Sequence, residues 1–241
     1  MFNFVGTGSA FHTKRGNNSA YIKRGKTLLL IDCGSANFDR ILGLGLLRGI
    51  EEIHVLLTHL HPDHVGSLGD LIFYTYYKMK PFMEPKLIVH APNDLSVVKL
   101  LEIMGVQIGT YAYNGFPADK TQVLRAEDFH LLIDALEVSH APELENSYAY
   151  SIYDHSNCEL AYYSGDSNMF PEEFMQHVGL YDYIFQDTCS ADYDGNVHMS
   201  LKKLEKLIPL EFREKVHCMH TDRSFDGNAA FNLGFNTVVS F

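Results

Sequence analysis

Cysteine is scarce in this chain of 241 residues, and the cysteines are far apart. They are Cys33, Cys158, Cys189 and Cys218, and none of them forms a Cys-x-x-Cys pair. Small secreted scaffolds that depend on disulfides place many cysteines in a short chain. That class is excluded, and we expect the four thiols to be reduced.

Basic residues are also in the minority. Lys and Arg together number 19 against 30 Asp and Glu, so the net charge is −11. A protein with this charge repels polyanions as a whole, and a large nucleic acid is therefore not expected as a partner. A small phosphate ligand stays compatible, because a metal ion or a few basic groups can dominate the field inside a pocket.

Long hydrophobic runs are missing as well. No stretch approaches the roughly 18 consecutive apolar residues that indicate a membrane span. Residues 1–8 lack the charged segment and hydrophobic run of a signal peptide. The sequence therefore predicts a cytoplasmic protein with no membrane association.

The apolar residues that are present, 46% of the chain counting Tyr and Cys, are enough for a substantial core. Short apolar segments between Gly and polar clusters predict strands, and apolar positions at helical spacing predict helices. The predicted strands cover residues 3–5, 20–23, 27–31, 53–57, 86–90, 129–138, 148–153, 159–163, 181–186 and 215–219. The predicted helices cover residues 38–47, 67–77, 95–104, 171–177 and 200–207, and residues 106–120 are expected as strand and loop near a rim.

Strands and helices follow a similar order in both halves of the chain, and no linker divides them. This pattern predicts an α/β (α+β) fold in which two mixed sheets pack together with helices outside. We expect a single domain over residues 1–241.

The most informative segment is a cluster of metal-ligating residue types directly after the predicted strand 53–57. His59, His61, Asp63 and His64 fall within six residues, and imidazole and carboxylate groups are ligands that zinc and related divalent ions prefer. Four ligands so arranged fit one tetrahedral ion poorly. The spacing therefore favours two ions.

This segment resembles the His-x-His-x-Asp-His signature of the metallo-β-lactamase superfamily. The resemblance implies a four-layer αββα sandwich with a dinuclear metal site at one edge, and further ligands that follow later strands. His140, Asp166 and His220 occupy those places. By resemblance, one metal takes His59, His61 and His140, the other takes Asp63, His64 and His220, and Asp166 bridges them.

The implied cofactors are two divalent metal ions, with zinc expected and manganese as the alternative. Two such ions can hold a hydroxide and stabilise charge on an attacked phosphoryl or carbonyl centre. The chemistry implied is hydrolysis, with Asp63 orienting the nucleophile.

Within the superfamily the chain is most similar to the tRNase Z branch. The N-terminal Gly6-Thr7-Gly8 and the later Asn17-Asn18 belong to this likeness, and His198 with Asp187 matches its His and acidic residue. The resemblance implies that His198 gives a proton to the leaving oxygen or holds the phosphate, and that Asp187 orients His198.

One departure concerns the substrate. Members that process tRNA carry a long basic arm between the third metal His and the bridging Asp, whereas His140 and Asp166 are only 26 residues apart here and the segment 141–146 is acidic. The chain therefore resembles the small phosphodiesterases of this branch that open 3′,5′-cyclic nucleotides, which include anti-Pycsar proteins. That resemblance implies a small-molecule phosphodiester substrate, a nucleoside 5′-monophosphate product and a homodimer.

Other functions stay open at this stage. They are hydrolysis of a lactone, thioester or β-lactam, tRNA 3′-end processing with an arm from elsewhere, and a catalytically silent binding module. The His198–Asp187 pair favours phosphodiesters, the charge disfavours RNA, and the complete set of seven ligands disfavours a silent module. Candidates for stacking on a nucleobase are Tyr74, Tyr76, Tyr77, Tyr111, Tyr113 and Phe116.

Overall fold

A computed structural model describes residues 1–142, 144 and 146–240 of the chain. In this part of the chain the strands form two mixed sheets. The first sheet contains β1 (Asn3–Gly6), β2 (Ser19–Arg24), β3 (Thr27–Ile31), β4 (Glu52–Leu56), β5 (Leu87–Pro92) and β6 (Ala112–Phe116), in this spatial order. Neighbours are antiparallel from β1 to β3 and parallel from β3 to β6.

The second sheet comes from the later half of the chain. It contains β7 (Gln122–Ala126), β8 (Phe129–Glu137), β9 (Tyr148–Asp154), β10 (Glu159–Tyr163), β11 (Tyr183–Asp187), β12 (Val216–Met219) and β13 (Asn236–Thr237), again in spatial order. Neighbours are antiparallel from β7 to β10 and parallel from β10 to β13. Each sheet therefore has an antiparallel part and a parallel part.

The helices connect the strands. They are α1 (Asn37–Gly43), α2 (Pro62–Val65), α3 (Leu68–Lys78), α4 (Val97–Ile103), α5 (Glu172–His177), α6 (Leu201–Leu207) and α7 (Gly227–Asn232). Two short 3-10 helices cover Val178–Leu180 and Leu210–Lys215. None of the helices in the described part of the chain has the length and hydropathy needed to cross a bilayer.

The core explains why the sheets lie between the helices. All five residues of β3 are buried, as expected for a strand covered on both faces. In the second sheet, neighbouring residues of one strand point to different cores: Tyr163 joins the core between the sheets, while Tyr162 joins the core under α5 to α7. The predicted arrangement of two packed mixed sheets with helices outside is confirmed.

Most predicted elements are present, with differences at their ends. The helix predicted over residues 38–47 ends at Gly43, and Gly45 just beyond it adopts a left-handed φ of 64°, a conformation that glycine takes without strain. Residues 106–120 contain β6. The sequence patterns did not predict α2, α7, β7 or β13.

Candidate metal centre

The candidate metal centre lies where the carboxyl ends of strands from both sheets meet. The segment 58–64 closely follows β4, Asp166 and His220 follow β10 and β12, and Asp187 is the last residue of β11. The strands β10, β11 and β12 are parallel, and β8 runs in the same direction because β9 is antiparallel to both β8 and β10. His140, which follows β8, therefore reaches the same edge of the sheet.

A short helix divides the histidine-rich motif into two parts. His59 and His61 precede α2, which begins at Pro62, whereas Asp63 and His64 lie in its first turn. Proline is favoured at the first helical position because its missing N–H needs no partner there. The motif thus presents two side chains from a loop and two from a helix.

The first group of ligand atoms comes from His59, His61 and His140. His61 Nδ1 lies 3.2 Å from both His59 Nε2 and His140 Nε2. Ligands about 2.0–2.1 Å from a tetrahedral zinc ion are roughly 3.3 Å apart. The spacing of the three nitrogens therefore fits a shared cation.

The second group comes from Asp63, His64, Asp166 and His220, all of them buried. Asp63 Oδ2 lies 3.2 Å from His220 Nε2 and 3.5 Å from His64 Nε2. His64 Nε2 and Asp166 Oδ1 are 3.2 Å apart, yet both are buried and neither makes a hydrogen bond. Because a buried polar atom without a partner is costly, a cation between these atoms fits the geometry.

Asp166 faces both groups. Its Oδ2 lies 3.4 Å from His220 Nε2 of the second group and 3.6 Å from His140 Nε2 of the first group. Its side chain is 2% exposed. Asp166 therefore lies between the two groups of ligand atoms.

Three of the histidines are held by acceptors outside the groups. His64 Nδ1 donates to Asp32 at 2.8 Å, His140 Nδ1 to the Val197 carbonyl oxygen at 3.3 Å and His220 Nδ1 to Asp187 at 3.2 Å. Carboxylate and carbonyl oxygens only accept, so each Nδ1 carries the hydrogen. In the neutral ring Nε2 then offers a lone pair to its group, as in histidines that bind metals.

The electrostatics of the second group also favour a cation. Burial acts to lower the pKa of His220, but Asp166, Asp187 and Asp63 outweigh burial and raise that pKa to about 10. Burial likewise opposes protonation of His64, and Asp166 and Asp32 raise its pKa well above the usual value. The buried carboxylates thus attract positive charge, which protons or divalent ions can supply.

His59 shows the opposite behaviour in the first group. Burial lowers its pKa well below the usual value, and the neighbouring His64 acts in the same direction. A histidine that stays neutral is ready to bind a metal, because only the unprotonated nitrogen is a ligand.

His198 and Asp187 form a close pair beside the second group. His198 Nδ1 donates to Asp187 Oδ2 at 2.7 Å, and the His198 side chain is 28% exposed while Asp187 is fully buried. Asp187, with help from this hydrogen bond and against burial, raises the pKa of His198. The pair presents an oriented imidazole to the open side of the site.

Asp32 is a residue of the site that the sequence patterns did not identify. Its carboxylate accepts hydrogen bonds from Thr58 N at 2.9 Å, Thr58 Oγ1 at 2.8 Å and His64 Nδ1 at 2.8 Å. Its φ is 65°, a strained value for a non-glycine residue. The one local signal was the abrupt end of the apolar strand 27–31 at this residue.

A cavity of about 840 Å³ opens in front of the metal centre. It is lined by His61, Asp63, His140, Asp166, His198 and His220 on the side of the centre, and by Ser9, Ala10, Phe11, Thr13, Asn17, Ser35, Ala36, Pro62, Ala141, Pro142, Cys189, Val197 and Asp222 elsewhere. The described lining residues include no lysine or arginine. Its titratable groups are carboxylates, imidazoles and the Cys189 thiol.

The aromatic residues considered for base stacking do not line this cavity. Tyr111 and Phe116 are buried in the larger of the two hydrophobic cores, and Tyr113 packs against that core. Tyr74 packs on Phe38, and the rings of Tyr76 and Tyr77 pack on each other. None of these candidates for base stacking lines the cavity, because β6, the residue before it and α3 place them elsewhere.

The acidic character of residues 141–146 rests on Glu143 and Glu145, which lie outside the described residues. Their relation to the cavity therefore stays a prediction from the sequence. The four cysteines are free, in agreement with the expectation of reduced thiols.

Comparison with known proteins gives one family and a common fold. The sequence model of a family described as Anti-Pycsar protein Apyc1 matches residues 1–240. A protein of that name from Bacillus phage 010DV004 is 30% identical, over 90% of this chain and 86% of its own. The similarity extends over nearly the whole chain.

Solved structures with lower identity share the fold. The metallo-β-lactamase fold protein YhfI from Bacillus subtilis has a TM-score of 0.75 and 19% identity, covering 100% of this chain and 95% of its own. The short form of human tRNase Z has a TM-score of 0.66 and 15% identity, covering 92% and 93%. These structures confirm the metallo-β-lactamase fold.

Proposed function

Because the chain belongs to the anti-Pycsar protein Apyc1 family, we propose that it is a metal-dependent phosphodiesterase that hydrolyses 3′,5′-cyclic nucleotides to nucleoside 5′-monophosphates. The observation that carries the proposal is the position of Asp166 between two groups of ligand atoms, next to the His198–Asp187 pair. This arrangement combines a site for two cations with an oriented proton donor.

The residues that would hold the cations are the two groups described above. His59, His61 and His140 would hold one ion, and Asp63, His64 and His220 the other, with Asp166 shared. Zinc suits this set of imidazole and carboxylate ligands, and manganese is the alternative. When bound, two such ions lower the pKa of water and neutralise charge on the phosphoryl oxygens.

Side chains of the protein orient the attacking water and transfer a proton to the leaving oxygen. In the overall reaction an oxygen from water forms a bond to phosphorus, and the bond from phosphorus to the 3′ oxygen breaks. We assign the orientation of the attacking water to the Asp63 carboxylate. His198 gives its proton to the leaving 3′ oxygen and regains one from the proton that the attacking water releases, while Asp187 holds the imidazole through Nδ1 at 2.7 Å.

The charge of the cavity supports a small substrate. Its described lining contains no lysine or arginine, so bound cations and the protonated His198 are the groups that can neutralise phosphate there. A cyclic mononucleotide carries one negative charge, and one site that neutralises phosphate is enough for it. A folded RNA needs many phosphate contacts, which neither this lining nor the net charge of −11 provides.

The pair formed by His198 and Asp187 supports a phosphodiester over a thioester. The leaving 3′ oxygen of a cyclic nucleotide needs a proton as the bond to phosphorus breaks, and we assign its donation to His198, whereas a thiolate leaves without a proton. The homodimer stays a prediction, which light scattering of the purified chain tests. The single domain over residues 1–241 also stays a prediction, which limited proteolysis tests.

The experiment is hydrolysis of four 3′,5′-cyclic nucleotides by the zinc-loaded protein, with products separated by chromatography. We expect nucleoside 5′-monophosphates from the wild type and none from the matched Asp63→Ala control. Products with a 3′-phosphate would contradict the assignment of the leaving oxygen. Intact cyclic nucleotides, with cleavage of a precursor tRNA or a lactone in parallel reactions, would overturn the proposed substrate.

A further inference from the structure

Phe11 is an exposed aromatic side chain on the wall of the cavity. Its side chain is 86% exposed, and apart from the histidines it is the one aromatic residue among the described lining residues. Exposed phenylalanine leaves apolar surface in water and so favours contact with another apolar surface. An aromatic ring beside the candidate metal centre offers a surface on which a planar group can stack.

The backbone around Phe11 is fixed to the segment that follows His220. Ser9 N donates to the Thr221 carbonyl oxygen at 3.1 Å, and His12 Nδ1 donates to the same oxygen at 3.0 Å. Arg223 Nε donates to the Phe11 carbonyl oxygen at 3.2 Å. The ring is thus carried by a loop whose place is set by the chain beside His220, a residue of the metal centre.

A glycine allows this loop to pack closely. A Cβ atom on Gly8 would lie 2.7 Å from the His12 carbonyl oxygen and 2.9 Å from that of Gly16. Both contacts are with backbone atoms, which a larger residue would have to displace. The loop that carries Phe11 is therefore a constrained part of the structure.

Apolar side chains also contribute to the lining, from Ala10, Ala36, Pro62 and Pro142. The carboxylate of Asp222 lines the cavity as well and accepts hydrogen bonds from Ser190. A ligand whose phosphate lies at the candidate metal centre therefore has apolar surface within the same cavity. The cavity of about 840 Å³ has a size that suits one small molecule.

We propose that Phe11 stacks on the nucleobase of the bound nucleotide and so sets the affinity for the part of the substrate remote from the phosphate. This inference rests on the proposed function for the class of ligand. Stacking of a base on an aromatic side chain is sequence-tolerant, because every base has a π-face. Phe11 is then a binding residue that acts on KM more than on kcat.

The test compares ligands with and without a base by titration calorimetry on the zinc-loaded protein. Nucleoside 5′-monophosphates and ribose 5-phosphate share the phosphate and the sugar, so the ratio of their Kd values measures the contribution of the base. We expect the wild type to bind the nucleotides at least about tenfold more tightly. Phe11→Ala should bring the ratio close to one, and Phe11→Tyr should keep it.

The matched control is Phe231→Ala, which removes another exposed phenylalanine (72% exposed) that does not line the cavity. It should leave the ratio at its wild-type value. A ratio near one in the wild type, or an equal ratio in wild type and Phe11→Ala, would overturn the inference. A changed molar mass of Phe11→Ala in light scattering, together with an unchanged ratio, would instead assign Phe11 to a contact between copies.

The outcomes separate this inference from the proposed function. Intact cyclic nucleotides in the hydrolysis experiment, together with a base contribution that Phe11→Ala removes, would contradict the proposed reaction while supporting base stacking. Rapid hydrolysis with a KM that Phe11→Ala leaves unaltered would support the reaction and contradict base stacking.

Discussion

Buried histidines lie in two parts of the molecule, and the directions of their hydrogen bonds differ. Away from the cavity, on β4 to β6, the hydrogen bonds run in one direction from residue to residue. Asn114 donates to His90 at 3.1 Å, His90 donates to His54 at 2.8 Å, and His54 donates to Glu52 at 2.7 Å. Each ring nitrogen of His54 and His90 has a partner when both rings are neutral. This group needs no further cation.

At the metal centre the inner nitrogens point at one another instead. His64 Nδ1 and His220 Nδ1 donate outward to Asp32 and Asp187, so their Nε2 atoms converge on Asp63 and Asp166. Buried carboxylates are present here, and they raise the pKa of His220 to about 10 against the effect of burial. At His90 burial, followed by the neighbouring His54, lowers the pKa to about 3.

A buried histidine pair therefore does not by itself indicate a metal site. What distinguishes the candidate centre is the set of acidic side chains between the rings, together with acceptors that fix the outer nitrogens. Substitutions that remove one of these features at a time test this contrast.

The largest effect is expected from Asp166→Asn, which takes the shared carboxylate from between the two groups. We expect bound zinc to fall from two equivalents to one or fewer and hydrolysis to fall by at least about 1000-fold, since even residues behind the ligands are worth 10–100-fold. Elemental analysis of dialysed protein and the chromatographic assay measure the two quantities. Two retained equivalents of zinc would contradict the bridging position.

His198→Ala tests the partner of Asp187 without removing a proposed metal ligand. Proton transfer by a positioned side chain contributes about 100-fold or more, so turnover should fall by about that factor while two zinc equivalents stay bound. The same assays apply, and His198→Gln serves as a control that keeps a polar side chain. Loss of zinc in both variants would assign His198 to metal binding.

Asp32→Asn tests the orientation of His64 from outside the ligand set. Asn keeps the shape of the side chain but weakens its bonds to Thr58 and His64, and we expect zinc affinity to fall by about 10–100-fold. Competition with a fluorescent chelator measures the affinity. His90→Gln, in the other histidine group, is the control and should bind zinc as the wild type does.

The sequence was most informative where local pattern and site coincide. His59, His61, Asp63 and His64 are adjacent in the chain, and the apolar strand before them marks the edge of a sheet. His140, Asp166 and His220 required the family resemblance, because each is a single residue after a strand. The structure brings all seven side chains together, and their roles as ligands stay a proposal.

Other features could not be found from local pattern because they depend on distant contacts. Asp32 acts through Thr58 and His64, which are neighbours only because β3 pairs with β4. Phe11 lies at the cavity because its loop is bonded to Thr221 and Arg223, more than 200 residues later. Phe11 was not among the stacking candidates from the sequence, whereas Tyr111 and Phe116 were, and the structure buries both of them.

The smallest expected effect concerns pH and the histidine chain on β4 to β6. The folded state lowers the pKa of His90 to about 3, whereas in the unfolded state the pKa of a histidine is about 6.5. The unfolded state therefore takes up the proton first as the pH falls. The contribution of the neutral ring to stability is fully present above a pH of about 6.5 and is lost progressively as the pH falls below that value. Between pH 7.5 and 5.5 the loss for one histidine is about 1 kcal/mol.

His90→Gln isolates this contribution, because glutamine offers one donor and one acceptor to the same chain but does not titrate. The free energy of unfolding is measured in urea at pH 7.5 and at pH 5.5. Its decrease between these two pH values should be about 1 kcal/mol smaller in the variant than in the wild type. Any pH effect from the metal centre is common to both proteins and cancels in this difference. Equal pH dependence in the two proteins would mean that His90 is protonated as readily in the folded state as in the unfolded state. The described difference between the two histidine groups would then be wrong.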